Sequence, residues 1–459
     1  MSGRTDTDVK GGLSAAFFTL GCRVNQYETR AMEEDFLAHG FRLCDFDEKC
    51  DVYVINTCTV TAESDRKCRS VIRRACDNSD GNGIVIVTGC YAQKSAEDIA
   101  KIDGVTLIIG TDGKSHVAES ALELLKSKRN GGSGADGHSA KIDVADISEI
   151  TECEKMSVTA SDRTKAFIKI VDGCDNNCTY CIIPKVRGHV RSRAEEDIVK
   201  EAEGLANVGY KEIVLTGIET AAYGTDIEGK RGAALLSLVE RIAAIDGVKR
   251  IRFGSLEPTL FTEEFTARLS RIPKVMPSFH ISLQSGSSEV LALMKRKYNA
   301  EMFLRCVKLL RTYFNDLTVT TDVIVGFPGE NEDSFGQSKR MLREASIAYA
   351  HIFPYSKREG TPAAKMRSQL TAAEKKRRAS ELHNAMISVR REVLGECVGR
   401  TFSVLTENND GKFAYGHTEN FIETKFPYFK GLTEENEIVK VEITGVSPDG
   451  MMLIGRAEE

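Results

Sequence analysis

The chain has 459 residues, about three times the ~150-residue prior for one domain, so two or three domains are expected. Its 41% hydrophobic and 28% charged residues suit a soluble globular protein and exclude a disordered chain, a fibrous repeat or a small disulfide scaffold. The formal net charge of −5 argues against a surface generally coated by nucleic acid, while leaving local basic patches open. The opening MSGRTDTDVKGG lacks an apolar core of signal-peptide length. Apolar runs such as Ile84–Val87 fall far short of the ~20 residues that span a bilayer. A cytoplasmic, monomeric protein with no membrane partner is expected. In a reducing compartment, its 13 cysteines are more often metal ligands, reactive groups or small core residues than disulfide partners.

Up to about residue 125, β-branched runs at Ala15–Leu20, Val52–Thr57 and Ile84–Thr88 alternate with helical patterns around Tyr27–Ala38, Ser64–Cys76 and Ser95–Ile102. This alternation predicts an α/β domain with a parallel sheet over 13–127. The Gly/Ser-rich stretch Lys128–Ala140 reads as a flexible surface segment within a linker, 128–160. From Ala166 six further strands are expected, starting at Ala166, Glu212, Lys249, Phe279, Thr318 and Tyr349. Helices lie between them, one being Glu196–Leu205 with Ile198, Val199, Ala202 and Leu205 on one face. Six βα units over 161–397 predict an open, partial (βα)6 barrel related to the eightfold TIM barrel. Lys365–Cys397 is rich in helix formers and basic. Beyond Val398 the short runs RTFSVLT, KFAYGHT, EIVKVEITGV and MMLIGRA predict a small β-barrel over 398–459, of the oligonucleotide-binding type.

Cys174, Cys178 and Cys181 stand in VDGCDNNCTYC, a C-x3-C-x2-C spacing directly after a predicted strand. Thiolates are the usual ligands of iron–sulfur clusters. Three on one tight loop can hold three irons of a [4Fe–4S] cube and leave the fourth open to a small molecule. The alternative is a zinc loop, but zinc normally closes with a fourth ligand, and only His189 follows at short distance. Cys22, Cys58 and Cys90, in LGCRVNQYE, INTCTVT and VTGCYAQ, each follow the carboxyl end of a predicted strand. In a parallel sheet those ends share one edge, so three distant thiols can converge. The remaining cysteines (Cys44, Cys50, Cys68, Cys76, Cys153, Cys306 and Cys397) share no spacing and are assigned to packing.

The first spacing, Tyr180 before its last cysteine, and the βα context resemble the radical S-adenosylmethionine (SAM) superfamily. The segments LTGIE, SLQSGS and VIVGFPGE at later strand ends resemble its cofactor-contacting motifs. The resemblance implies SAM contacts at Tyr180, Gly217, Glu219, Gln284, Ile324 and Gly326, and singles out no catalytic side chain. With the N-terminal cysteine set and the C-terminal β-domain added, nearly the whole chain resembles the methylthiotransferases, whose C-terminal module is called TRAM. That family implies two [4Fe–4S] clusters, one on Cys174, Cys178 and Cys181 and one on Cys22, Cys58 and Cys90. It also implies a reductant such as flavodoxin or ferredoxin, and a sulfur donor. LGCRVNQYE and NTCTVT look most like the branch acting on N6-threonylcarbamoyladenosine at position 37 of tRNA. Methylthiolation of isopentenyladenosine or of a ribosomal protein, or a zinc-containing RNA-binding protein, are the alternatives.

A tRNA substrate requires phosphate contacts. Arg66, Lys67 and Arg73, with Arg69 and Arg74, lie on one predicted helix after the Cys58 loop. Lys185, Arg187, Arg191 and Arg193 follow the Cys181 loop with no acidic residue between Ile182 and Ala194. Both sets are expected to bind RNA. Residues 398–459 carry six Lys/Arg against eleven Asp/Glu, so RNA contact there is expected either through Lys412, Phe413, Tyr415 and Lys425 or through the preceding basic residues Lys375, Lys376, Arg377 and Arg378.

Overall fold

The structure is a computed structural model that describes residues 12–130, 140–160 and 164–458. Residues 131–139 of the expected flexible segment lie outside them. The chain divides into two compact units, Met1–Val158 with Ile182–His189, and Thr159–Cys181 with Val190–Glu459.

The first unit contains, in order, β1 (Ser14–Thr19), α1 (Arg23–Ala38), β2 (Arg42–Leu43), β3 (Val52–Thr57), α2 (Ala62–Ser79), β4 (Ile84–Gly89), α3 (Cys90–Ala100), β5 (Leu107–Ile109), α4 (Val117–Arg129) and β6 (Lys141–Asp143), with the short α5 (Ile183–Arg187) added from the later segment. The six strands form one parallel sheet in the order β2-β1-β3-β4-β5-β6. Every residue of β3 and β4 is buried, as expected where helices cover both faces of a parallel sheet. Helix α2 starts at Thr61, whose hydroxyl accepts from the Ser64 N–H. Its Cys68, Ile72 and Ala75, at helical spacing, pack on the sheet. The third helix differs from expectation: it begins at Cys90, directly after β4, and Ser95 is a non-helical kink inside it (φ −136°, ψ 37°). Strands β2, β5 and β6, two or three residues each, are too short to leave a periodic signal.

The second unit opens with β7 (Lys165–Asp172) and a short antiparallel edge strand, β8 (Arg191–Ser192). It continues through α6 (Glu195–Asn207), β9 (Glu212–Gly217), α7 (Thr225–Glu228), α8 (Ala233–Ala243), β10 (Arg250–Phe253), β11 (Ser255–Leu256), α9 (Glu263–Leu269), β12 (Ser278–Ile281), α10 (Ser288–Leu293), α11 (Ala300–Tyr313), β13 (Thr318–Val325), α12 (Glu332–Glu344) and β14 (Tyr349–Pro354). Pairing gives two four-stranded sheets, β10-β9-β7-β8 and β11-β12-β13-β14, and β11 follows β10 after the single residue Gly254. The six expected strands are therefore present, parallel wherever they pair with one another, the third broken into two pieces. The 24-residue α13 (Ala372–Gly395) leads into a closed barrel of β15 (Thr401–Asn409), β16 (Phe413–Thr418), β17 (Glu423–Pro427), β18 (Ile438–Val446) and β19 (Leu453–Ala457), ordered β15-β16-β17-β19-β18. Strand β17 was not expected, although its residues alternate between half-buried and buried.

This closed barrel sits on the amino ends of the parallel strands. Arg250, the first residue of β10, donates to the carbonyls of His417 and Ser403 (3.1 and 2.8 Å), and Arg252 donates to those of Glu419 and Thr418 (both 2.9 Å). Lys165, which opens β7, pairs with Glu407 at 2.8 Å. The carboxyl ends of the same strands carry the candidate site, the usual division of labour in βα barrels.

Candidate functional site

The loop of Cys174, Cys178 and Cys181 leaves the carboxyl end of β7 through Gly173 (φ +71°). It is tied to the end of α10: the Thr179 N–H donates to the Met294 carbonyl (3.0 Å) and its hydroxyl to the Leu293 carbonyl (2.9 Å). Arg296 Nη1 donates to Cys178 Sγ at 3.0 Å, and its Nη2 pairs with Glu257 Oε1 at 2.7 Å. Glu257, beyond β11, also accepts from Arg231 (2.8 Å). Asn176, in the middle of the cysteine loop, donates through Nδ2 to both Glu257 Oε1 (3.1 Å) and Glu219 Oε2 (3.2 Å).

Two acceptors remain. Glu219 Oε1 and Asn176 Oδ1 are buried without a hydrogen-bond partner. Burial first, and then the charge of Glu257, pushes the Glu219 carboxyl up to about 8, and burial followed by the charge of Glu219 pushes the Cys174 thiol up to about 12. The loop thus combines three thiols with unpartnered carboxylate and amide oxygens, a donor set suited to a metal cluster and a ligand bringing an ammonium group. Thiolate ligation must displace the protons, so metal loading here is coupled to pH.

The other predicted cofactor residues stand at neighbouring strand ends. Gly217 closes β9 where a Cβ would sit 2.4 Å from Val171 Cγ1, so the close approach of β9 to β7 demands its absence. Gln284 follows β12 with φ +65°, and its N–H donates to the Asp322 carbonyl (2.8 Å). Gly326 follows β13 with φ +70° and donates to Glu330 Oε1 at 2.7 Å. Tyr180 and Ile324 pack into one apolar cluster with Phe327. The structure gathers all six at the carboxyl edge of the parallel strands.

In the first unit, Cys22 precedes α1, Cys58 follows β3 and Cys90 opens α3 after β4. Because β1, β3 and β4 are neighbours in the sheet, the three positions share one edge. At Gly21 (φ +114°) a Cβ would stand 2.9 Å from Cys58 Cβ, so the Cys22 and Cys58 loops touch. Asn25 links them: its Nδ2 donates to the Leu20 and Thr57 carbonyls (2.8 and 2.9 Å), and its Oδ1 faces Cys22 Sγ at 3.7 Å. Sequence reasoning missed Cys68, whose Sγ meets the Cys58 backbone at 3.2 Å (O) and 3.4 Å (N) and so orients that loop from α2. Burial pushes the Cys58 thiol up to about 11. Among the described residues, no three His, Cys, Asp or Glu side chains stand together as a ready site for a metal ion.

The RNA expectations divide. Arg66, Lys67 and Arg73 are exposed on α2. Arg66 is clamped by Glu63 (2.8 and 2.6 Å), whereas Lys67 and Arg73 have no carboxylate partner among the described residues. Lys185 is exposed. Arg187, Arg191 and Arg193 are corrected: they are 0, 4 and 6% exposed, and so cannot present charge to a phosphate. Arg187 binds Glu28, and Arg193 binds Glu201 at 2.8 Å. Glu28 lies 159 residues from Arg187 and Glu201 follows Arg193 in the next helix, so both carboxylates stand outside the Ile182–Ala194 segment, which is why it read as uncompensated. Arg377 and Arg378 are both paired with Glu374 and Glu332, and Arg378, 5% exposed, also with Glu330. On the C-terminal barrel, half-exposed Phe413 and Tyr415 flank Lys425, whose Nζ lies 4.0 and 5.6 Å from their ring centres.

No described helix is long and apolar enough to cross a membrane. A family model described as the Radical SAM superfamily matches residues 168–342, and one described as uncharacterized protein family UPF0004 matches residues 14–110. The threonylcarbamoyladenosine tRNA methylthiotransferase MtaB of Bacillus subtilis (strain 168) is 40% identical over 94% of this chain and 93% of the relative. A tRNA-2-methylthio-N(6)-dimethylallyladenosine synthase of the same organism is 33% identical over 96% of this chain and 86% of the relative. Among solved structures, the radical S-adenosylmethionine methyltransferase TsrM of Kitasatospora setae is similar in fold, with a TM-score of 0.57 at 14% identity, covering 85% of this chain and 80% of that one.

Proposed function

Because the chain belongs to the MtaB-type methylthiotransferases, radical SAM enzymes that modify tRNA, we propose that it methylthiolates C2 of N6-threonylcarbamoyladenosine 37. In this reading the reaction consumes two SAM molecules and uses two [4Fe–4S] clusters. Cys174, Cys178 and Cys181 would hold one cluster, and Cys22, Cys58 and Cys90 the other. Together, SAM and the clusters supply the one-electron chemistry that activates the C–H bond and the route by which sulfur arrives.

The observation that carries the reading is two thiol triads, each at the carboxyl edge of its own parallel sheet, with unpartnered buried acceptors beside one of them. Glu219 Oε1 and Asn176 Oδ1 receive the ammonium of SAM, and ordering that group beside the thiols orients the rest of the molecule. Arg296 holds Cys178 by an N–H···S bond and is itself held by Glu257. Gly217 and Gly326 keep the walls of the site close, while Tyr180, Ile324 and Phe327 shield it from water. Lys67, Arg73 and Lys185 supply phosphate contacts, a reductant such as flavodoxin or ferredoxin supplies electrons, and a separate donor supplies sulfur.

The threonylcarbamoyl branch is favoured over the isopentenyl branch by the two Bacillus subtilis relatives, 40% against 33% identical. Nucleoside mass spectrometry of tRNA from a deletion strain tests it. The methylthio form of threonylcarbamoyladenosine should vanish and its precursor accumulate, with methylthio-isopentenyladenosine unchanged. Loss of the isopentenyl product instead would move the chain to the sister branch, and normal tRNA would refute an RNA substrate.

A further inference from the structure

We propose that Arg187 is a positioning residue of the site formed by Cys22, Cys58 and Cys90, holding Cys90 by an N–H···S bond and setting the charge felt by the N-terminal cluster. The inference rests on the two-cluster reading above and deepens it. Arg187 lies six residues beyond Cys181, yet its segment, Ile182–His189, belongs to the first unit. There its side chain is fully buried. Nε donates to Cys90 Sγ at 3.3 Å, and Nη2 donates to Asn25 Oδ1 at 2.7 Å, the same oxygen that faces Cys22 Sγ. One guanidinium is therefore linked to two of the three thiols, directly to one and through Asn25 to the other.

The surrounding charges give the arrangement its electrostatic sense. Glu28 grips Arg187 in a fork, Nη1 to Oε1 at 2.6 Å and Nη2 to Oε2 at 3.0 Å. The same carboxylate also pairs with Lys114 at 3.1 Å, and both side chains of that pair are fully buried. Two buried cations thus lie on Glu28, and the guanidinium of one of them faces Cys90 Sγ. A buried ion is expensive unless paired, so Glu28 holds the Arg187 guanidinium in place beside Cys90. Hydrogen bonds to the sulfurs and nearby net charge tune cluster potentials. The Arg187 guanidinium beside Cys90 would favour the reduced, more negative cluster and raise its potential.

The test uses the full chain with Cys174, Cys178 and Cys181 replaced by Ala, loaded anaerobically with iron and sulfide. Its remaining cluster is titrated with dithionite, which delivers one electron per cluster, and followed by electron paramagnetic resonance. Arg187→Gln should bind the same iron with a lower midpoint potential, and Arg187→Lys should fall between it and the parent. Glu28→Gln, which leaves Arg187 more positive, should shift the midpoint the opposite way. Loosening of the fold does not produce shifts of opposite sign. Unchanged midpoints, or shifts of the same sign in Arg187→Gln and Glu28→Gln, overturn the proposal. So does loss of iron and circular dichroism in both variants, which would make the network scaffolding only. A parent protein that binds no iron overturns the two-cluster reading itself, and this proposal with it.

Discussion

Arg296→Met should be among the most damaging single changes in the second unit. Methionine keeps the apolar stem of the arginine and removes its guanidinium, so the main loss is electrostatic. Glu257 and Arg296 are 2 and 7% exposed in their side chains and 2.7 Å apart. Removing one partner of such a buried pair costs about 3–5 kcal/mol, because the other charge is left without compensation. Arg231, 23% exposed and 2.8 Å from Glu257, retains part of that compensation, which places the expected loss near the lower bound, about 3 kcal/mol. Glu257→Gln should cost a similar amount. The double variant Glu257→Gln/Arg296→Met, which leaves no orphaned charge in the pair, should be less damaging than the two single losses combined, by about 2 kcal/mol or more. The assay is urea unfolding of the metal-free protein followed by far-ultraviolet circular dichroism, since the chain contains no tryptophan. A double-variant loss equal to the combined single losses within about 0.5 kcal/mol would refute the coupling.

Replacing Cys174, Cys178 and Cys181 by Ala should halve the iron bound and abolish SAM cleavage. The same change at Cys22, Cys58 and Cys90 should halve the iron and leave cleavage intact, and full iron in the second protein would exclude the N-terminal cluster. Glu407→Gln should loosen the seat of the C-terminal barrel. Burial alone would raise its carboxyl, but the hydrogen bond and charge of His417, with Lys165 beyond, hold it down to about 2. A depressed carboxyl contributes stability above its unfolded value of 4.5 and loses it as pH falls toward 2. Unfolding free energies of wild type and variant from urea titrations should therefore differ by about 3 kcal/mol at neutral pH and converge only as pH falls toward 2, and a gap independent of pH would rule out the ion pairing as its source. Lys67→Ala and Arg73→Ala should each lower the slope of log tRNA affinity against log salt by about 1. Unchanged slopes in folded protein would place the phosphates elsewhere.

What the sequence determined by itself is the set of features governed by local periodicity and spacing. The long buried strands, the six βα repeats and the C-x3-C-x2-C loop depend on neighbours within a few residues, and each stands where its pattern implied. That Cys22, Cys58 and Cys90 stand at one edge of the sheet was also legible, because a parallel sheet places every strand's carboxyl end on one edge whatever the intervening length. Strands of two or three residues and β17 were not legible, since their existence depends on a partner strand rather than on their own pattern.

The fate of the charges was decided only by tertiary structure. Arg66, Lys67 and Arg73 on α2 and Arg187, Arg191 and Arg193 after Cys181 look alike as basic clusters. The first three remain at the surface, while the last three are buried, Arg187 on Glu28 and Cys90 and Arg193 on Glu201. Glu28 is 159 residues from Arg187. An ion pair needs only proximity in space, and no feature of the local sequence encodes which distant carboxylate will arrive. The same holds for Glu219, Asn176 and Glu257, whose meeting beside Cys174 comes from three different strand ends. The chemistry of the cysteines can be read along the chain, but the field in which they act is assembled by the fold.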